Sequence, residues 1–187
     1  MNTISKKVYQ DIGVKWGLII GLGMGIFTNL FSVINPGLLF NPIFSLSILV
    51  INFAAFIILL VMVGKKARAI TGSITVNQAF ITLFITVLVH VAVTSFLYYG
   101  TELVMKEKKE AKMIELKQKM IDDMEEKGID DEQIEKSIAM MDKFSDKSPL
   151  MIVLGVLLRL LVDLAIAYIV ASSIKRAPSV EVVQETT

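Results

Sequence analysis

Long apolar runs alternate with short polar segments along the chain, and four of the runs are long enough to cross a lipid bilayer. They cover residues 16–34, 43–63, 79–99 and 150–174. A helix needs about 20 apolar residues to span the hydrocarbon core of a membrane. The pattern therefore predicts an all-α, polytopic membrane protein with four transmembrane helices.

Residues that start or stop helices stand at the ends of these runs. They are Asn35-Pro36-Gly37 after the first run, Asn41-Pro42 before the second, Thr75 and Gln78 before the third, and Ser148-Pro149 before the fourth. Asn, Ser or Thr before a helix accepts hydrogen bonds from its first N–H groups, and Pro suits its first position. Such caps are needed because membrane hydrocarbon offers backbone groups no hydrogen-bond partner.

Basic residues beside the apolar runs predict which side of the membrane each flank faces. They are Lys6, Lys7 and Lys15 before the first run, Lys65, Lys66 and Arg68 after the second, and Lys175 and Arg176 after the fourth. Short flanks rich in Lys and Arg stay in the cytoplasm. We therefore expect both termini to lie in the cytoplasm, with the lipid bilayer as the first partner of the protein.

Most of the charge lies between the third and fourth runs. Residues 101–148 contain 10 Lys and 14 Asp or Glu, although only 20% of the whole chain is charged. Two apolar stripes at helical spacing run through this segment: Met113, Leu116, Met120 and Met124, then Ile134, Ile138, Met141 and Phe144. Gly128 suits the end of a first helix, and the acidic group after it suits the start of a second. The segment is thus predicted to form an extracytoplasmic charged helical hairpin, tilted or bent near Gly100, that contacts a protein partner.

The pattern divides the chain into four regions. Residues 1–100 hold the first three transmembrane helices, with a cytoplasmic loop at 64–78. Residues 101–148 form the hairpin, residues 149–176 form the fourth transmembrane helix, and residues 177–187 form a disordered cytoplasmic tail.

Gly13, Gly17, Gly21 and Gly25 recur every four residues in the first helix. Small residues at this spacing let two helix backbones approach closely in lipid. A four-residue step drifts by about 40° around a helix, so we expect one partner helix to contact only two or three of these glycines. Packing within the chain is favoured, and a homo-oligomer interface is the alternative.

Five polar residues inside the apolar runs are predicted to meet near the middle of the membrane. They are Asn29, Asn52, His90, Arg159 and Asp163. Asn52, His90 and Asp163 each lie 11 residues from the cytoplasmic end of their run, a depth of about 16 Å. Arg159 and Asp163 are four residues apart, so they share a helix face and can pair. Ionisable groups are costly in a bilayer, so the cluster is either a functional site or a structural ion pair.

Several kinds of chemistry have no support in the sequence. The chain has no cysteine and one histidine, which argues against thiol catalysis and a His-rich metal site. Nucleotide-binding and hydrolase motifs are also absent from the sequence. We therefore expect no catalytic residue, no cofactor, no metal and no nucleic-acid partner.

Three stretches together carry a resemblance to a known family. They are VKWGLIIG at 14–21, VNQAF at 76–80 and MEEKGIDDEQI at 124–134. In this order the chain resembles a family of uncharacterised four-helix inner-membrane proteins from Bacteroidetes, domain-of-unknown-function family 4199. The resemblance extends to Arg176 and implies a membrane location and this topology, but no activity.

The sequence leads to one preferred function and one alternative. We expect a non-enzymatic accessory or protein-interaction component of the inner membrane. The alternative is a small transporter or ion-coupled carrier that uses Arg159, Asp163 and His90. Such carriers commonly contain internal repeats and broken helices. Neither a repeat nor a proline inside a predicted helix is present, which favours the accessory role.

Overall fold

The computed structural model describes residues 3–35, 37–38, 41–72, 74–145 and 149–174. Within these residues the chain forms five α-helices, namely α1 (Thr3–Ile34), α2 (Pro42–Thr71), α3 (Val76–Glu126), α4 (Asp131–Ser145) and α5 (Pro149–Ile174). All except α4 are long and apolar enough to cross a membrane, so the predicted fold class is confirmed. The predicted tail, the basic flank at Lys175 and Arg176, and the cap Ser148 lie outside the described residues.

Two of the predicted helix starts have the expected hydrogen bonds. The side-chain oxygen of Asn41 accepts from the N–H groups of Ile43 at 3.0 Å and Phe44 at 3.1 Å. At the start of α3, Thr75 Oγ1 accepts from the Gln78 N–H at 3.2 Å. The Gln78 side chain in turn accepts from the Thr75 N–H at 2.9 Å. This reciprocal pair is a capping box, and it fixes the first turn of the helix.

The predicted cytoplasmic loop at 64–78 is mostly helical. Helix α2 continues to Thr71 and α3 begins at Val76, so residues 72–75 separate the two helices. Lys, Arg and Ala are good helix formers, and the full burial of Ala67 gives these extra turns a packing surface. Arg68 also donates a hydrogen bond to the carbonyl of Ile174 at 3.4 Å, which caps the last turn of α5.

Contacts between the helices define an up-and-down bundle. His90 on α3 contacts Phe56 on α2 and Arg159 on α5, while Thr28 on α1 contacts Asn52 on α2. Helix α1 packs most extensively on α3, and α2 touches the other three. Gly13 and Gly25 on α1 lie against Ile85 and Leu97 on α3, so these two helices run in one direction. Helix α2 runs opposite to α1, since Phe31 contacts Phe44 while Thr28 contacts Asn52. Helix α5 runs opposite to α3, since Phe80 contacts Tyr168 while His90 contacts Arg159. We call the bundle end where α1 begins the basal end, and the opposite end the arm end.

The four glycines of α1 pack inside the chain, against α3. A Cβ atom added to Gly13, Gly17, Gly21 or Gly25 would lie within 3.0 Å of an α3 atom in each case. The α3 backbone groups nearest to them also recur every four residues, at Thr82, Thr86, His90 and Thr94. One helix thus contacts all four glycines, rather than the two or three expected. Both helices present ridges with the same four-residue step, so the two ridges lie along each other where the helices cross.

The buried core lies in the basal half of the bundle. On α5 the buried residues all follow the midpoint of the helix: Asp163, Ala167, Val170, Ala171 and Ile174. No residue of α5 from 150 to 162 is buried. On α2 the most buried side chains, Leu60, Val63 and Ala67, likewise lie in its second half. Helix α5 is therefore closely packed at the basal end and exposed towards the arm end.

Beyond the bundle, α3 continues without a break through Gly100, where a bend was predicted, to Glu126. It ends as predicted at Gly128, which has a positive φ of 70°. The N–H of Gly128 donates to the Glu125 carbonyl at 2.9 Å, and the N–H of Ile129 donates to the Met124 carbonyl at 3.1 Å. This pair of bonds is a Schellman motif, in which glycine adopts the left-handed conformation most easily.

Helix α4 turns back on α3 to complete a helical hairpin, and we call residues 101–145 the arm. The Asp130 carboxylate caps α4 by accepting from the N–H of Gln133 at 2.9 Å. Lys117 on α3 and Asp142 on α4 form an ion pair between the two helices. Of the predicted stripes, Ile134 is buried, and Met113, Leu116, Met120, Met124 and Ile138 are half-buried. The side chains of Met141 and Phe144 lie outside the described part of the chain.

Candidate functional site

A cavity of about 670 Å³ lies between α1, α2, α3 and α5. The five polar residues that the sequence singles out all line it: Asn29, Asn52, His90, Arg159 and Asp163. The lining continues towards the arm end as far as Ser32, Ser45 and Tyr98. The structure thus places polar residues from four helices around a single cavity in the arm-end half of the bundle.

The floor of the cavity lies where the open half of the bundle meets the closed core. Phe56 and Asp163 line the cavity at this level. One turn nearer the basal end on the same two helices, Leu60 and Ala167 are completely buried, as is Val87 on α3. The cavity is therefore closed towards the basal end.

His90 and Arg159 form the central polar contact of the floor. A terminal guanidinium nitrogen of Arg159 lies 3.1 Å from Nε2 of His90. Since arginine can only donate, Nε2 accepts, and the neutral imidazole carries its proton on Nδ1. The His90 side chain is 1% exposed and stacks on Phe56, with ring centroids 4.9 Å apart. Stacking orients the imidazole, and the imidazole in turn positions the guanidinium.

Asp163 lies beside this pair but does not hydrogen-bond to the guanidinium. Its Oδ2 is 3.7 Å from Nε of Arg159, which is close enough for charge attraction and too long for a hydrogen bond. The side chain of Asp163 is 11% exposed, whereas that of Arg159 is 46% exposed. Among the described residues, neither Oδ2 of Asp163 nor Nδ1 of His90 has a hydrogen-bond partner. The accessible charge of the site is therefore that of Arg159.

The two asparagines do not bond to the charged pair. Asn52 was expected near it, but its Oδ1 accepts from Thr28 Oγ1 at 3.2 Å, and its Nδ2 donates to the Ile48 carbonyl at 2.9 Å. Asn29 donates to the carbonyl of Gly25 at 2.8 Å. Short polar side chains within a helix can reach the carbonyl one turn earlier, which satisfies them without a charged partner. Both asparagines are thus polar parts of the cavity wall.

Several residues of the cavity were not predicted from the sequence. They are Thr28, Ser32, Ser45, Phe56 and Tyr98. Thr28 and Ser32 are one turn apart on α1, and that spacing of polar residues inside an apolar run could have indicated an inward face. Phe56 carries no comparable signal, since an aromatic residue in an apolar run is typical of any packed helix.

Apolar side chains form the remaining wall near the arm end. They include Leu49 and Phe53 on α2, and Leu158 and Val162 on α5. Gly155 also lines the cavity, and a Cβ atom added to it would meet nothing within 4 Å. Gly155, Ala167 and Ala171 are small residues on the same four-residue ridge of α5 as Arg159 and Asp163. Both alanines are completely buried, but the space beside Gly155 is open.

The arrangement combines a guanidinium, a buried carboxylate and a neutral imidazole with mainly apolar walls. Arginine has five N–H donors, so the hydrogen bond to His90 leaves donors that can bind a molecule in the cavity. A pocket with apolar walls and a few oriented polar groups is typical of small-molecule binding sites, which range from about 300 to 1,000 Å³. The site has the chemistry of such a binding pocket.

Four spanning helices around this cavity define the chain as an integral membrane protein with an all-helical fold. The family model described as a protein of unknown function (DUF4199) matches residues 15–176. The chain belongs to this family, which confirms the resemblance seen in its sequence. Comparison with curated proteins and with solved structures gives no match.

Proposed function

We propose that this protein is a non-enzymatic accessory component of the bacterial inner membrane that binds a small molecule in the cavity. Both termini are placed in the cytoplasm by the basic flanks, so the arm end faces outwards. The observation that carries the proposal is the cavity itself, which is closed at the basal end and has Arg159 accessible at its floor.

Binding is favoured over catalysis because of the state of the polar side chains. Ser45 Oγ donates to the Pro42 carbonyl at 3.2 Å, and Thr94 Oγ1 donates to the His90 carbonyl at 2.9 Å. A hydroxyl nucleophile needs a base within hydrogen-bond reach, and these hydroxyls donate to their own helix instead. The cavity walls thus offer donors and apolar surface to a ligand, but no activated nucleophile among their described hydrogen bonds.

A small transporter or ion-coupled carrier is the second candidate. Its support is the position of Arg159, Asp163 and His90 at the floor of a cavity that is closed towards the basal end of the bundle. Alternating access requires such a one-sided cavity, but it commonly uses discontinuous helices. Each spanning helix is continuous over its described length, and therefore a stationary binding site is the preferred function.

Filling the cavity tests the proposed function. Gly155→Phe places a ring in the open space of the cavity, whereas Gly23→Phe is a matched control, because a Cβ atom at Gly23 also meets nothing within 4 Å and Gly23 is outside the lining. We expect native mass spectrometry of gently purified protein to show a bound small molecule in the wild type and the Gly23 variant only. An equal bound mass in all three proteins, or none in the wild type, contradicts the proposal.

The arm is the proposed contact surface for a protein partner. On this arm Ile114 and Met140 are 68% and 61% exposed, beside apolar stripes that are only half-buried. Methionine-rich surfaces adapt to partners of different shape. Replacing residues 103–146 by a short Gly-Ser bridge should leave the four spanning helices inserted but abolish co-purification of the partner. The glycines of α1 are occupied by α3, so a homo-oligomer would need another surface.

A further inference from the structure

We propose that the ligand of the cavity is a monocarboxylate with an apolar body, whose carboxylate binds Arg159 at the floor while its body lies against the apolar walls. This inference rests on the proposed function and names the chemical class of the ligand. A water-soluble organic acid and a fatty acid from the membrane share this chemistry.

The first support is the set of donors on Arg159. Its guanidinium gives one terminal nitrogen to His90, and 46% of the side chain remains exposed. Asp163 lies 3.7 Å from Nε and takes no hydrogen bond from it. The other N–H groups of the planar guanidinium match the two oxygens of a carboxylate, which accepts two parallel hydrogen bonds.

The second support is the way in which the guanidinium is held. The imidazole of His90 is buried, stacked on Phe56 and committed as an acceptor through Nε2. It therefore fixes the guanidinium without adding a charge of its own. A cation that is already oriented loses less conformational entropy on binding than a flexible one. The floor is thus preorganised for an anionic group.

The third support is the apolar wall between this floor and the arm end. From Phe56 to Ser45, α2 lines the cavity over about 16 Å. Leu49 and Phe53 on this helix and Leu158 on α5 line the cavity, and all three side chains are exposed. An apolar body bound here covers side chains that the bundle leaves unpacked. A guanidinium beside apolar walls disfavours small hydrated anions, because these anions have no apolar surface to bury against the walls.

Asp163 provides a test of the inference, because its replacement should change the affinity for carboxylates in a defined direction. The carboxylate of Asp163 and that of the ligand both lie near the guanidinium of Arg159, and their negative charges repel each other. Replacing Asp163 by Asn should therefore tighten carboxylate binding several-fold, because charge repulsion is removed. Replacing Arg159 by Gln should weaken it roughly 10- to 100-fold, since charge-assisted hydrogen bonds are lost.

The experiment measures binding of radiolabelled octanoate and palmitate to the full-length protein in phosphatidylcholine nanodiscs, with empty nanodiscs subtracted. Octanamide and palmitamide serve as neutral probes of matched shape. The proteins are the wild type, Arg159→Gln, Asp163→Asn, the double variant of both, and Gly155→Phe. The double variant removes both charges of the pair together, so it preserves the fold where Arg159→Gln alone would leave the buried Asp163 unpaired.

We expect carboxylates to bind the wild type at least tenfold more tightly than the matched amides, and the double variant to lose this preference. Preference for octanoate indicates a soluble acid, and preference for palmitate a membrane lipid; either supports the inference. Equal binding of acids and amides, absence of acid binding, or weaker acid binding by Asp163→Asn would overturn it. If acids and amides bind equally and Gly155→Phe abolishes binding of the amides, the proposed function stands but the carboxylate inference fails. Unchanged binding in Gly155→Phe would contradict both the proposed function and the inference.

Discussion

Gly17 and Gly23 lie on the same helix in different surroundings. A Cβ atom added to Gly17 would be 2.6 Å from Cβ of Val89 and 2.8 Å from the Thr86 carbonyl oxygen, whereas one added to Gly23 meets nothing within 4 Å. Forcing a methyl group into a packed interface typically costs about 1–3 kcal/mol, while Ala favours a helix over Gly by up to about 1 kcal/mol. We expect Gly17→Ala to lower the unfolding midpoint in detergent and Gly23→Ala to leave it equal or higher.

Equal midpoints for the two variants would mean that α1 and α3 are not in close contact at Gly17. The comparison is informative because both changes add the same methyl group to the same helix. Only the neighbouring atoms on α3 differ.

The charged pair at the cavity floor gives a second prediction at this scale. Asp163→Ala leaves the guanidinium of Arg159 without its nearby negative charge, 3.7 Å away in the wild type. The double change to Ala at both positions removes the orphaned charge as well. We expect the single variant to be less stable than the double variant by roughly 1–3 kcal/mol, measured by thermal unfolding in detergent. Identical unfolding curves for the two variants would show that the pair contributes little to the fold.

The sequence predicted which polar residues meet, that Arg159 pairs with Asp163 and that His90 lies within hydrogen-bonding reach of this pair, but not which atoms bond. Counting residues from the ends of the apolar runs was enough to place His90, Asn52 and Asp163 around one cavity, because helix rise is constant. The hydrogen bond from Arg159 to His90 depends on side-chain conformations and on how far α5 stands from α3. Both the side-chain conformations and the separation of α5 from α3 depend on packing of the whole bundle, so a local sequence pattern does not predict them.

The two ends of the arm provide a prediction at the scale of helices. Gly128 has φ of 70° in the turn that joins α3 to α4, whereas Gly100 lies inside α3 with nothing within 4 Å of an added Cβ. A side chain at positive φ costs roughly 1 kcal/mol or more. Gly128→Ala should therefore weaken the hairpin and speed amide hydrogen exchange in α4, while Gly100→Ala should not. Unchanged exchange in α4 after Gly128→Ala would show that the turn does not hold the hairpin closed.

Helix boundaries were predictable where short-range chemistry decides them. Asn41, Thr75 and Gly128 each act within a few residues, so their caps can be read from the sequence. The end of α2 was predicted too early, because Ala67 is held in the helix by burial against other helices. Helix α3 is also continuous through Gly100, where a bend was expected. A single glycine weakens a helix without ending it.

At the scale of the whole molecule, the proposed orientation can be measured in cells. Single cysteines at Ser5, Ser73 and Ser179 should resist a membrane-impermeant maleimide, whereas one at Ser137 on α4 should react. The chain has no natural cysteine, so labelling reports the introduced site alone. Permeabilised cells, in which all four sites should react, provide the control. Labelling at Ser73 with protection at Ser137 would place the arm in the cytoplasm and reverse the assignment.

Helix α3 is one unbroken rod of 51 residues, about 76 Å long. It supplies His90, Thr94 and Tyr98 to the cavity and then continues outwards as the first half of the arm. Part of the cavity wall and the first half of the arm consequently belong to one continuous helix. Under the proposed function, a partner that tilts the arm would also move His90 relative to Arg159, and a molecule bound in the cavity would oppose that movement. By thermodynamic linkage, partner binding to the arm and ligand binding in the cavity would then change each other's affinity by the same factor.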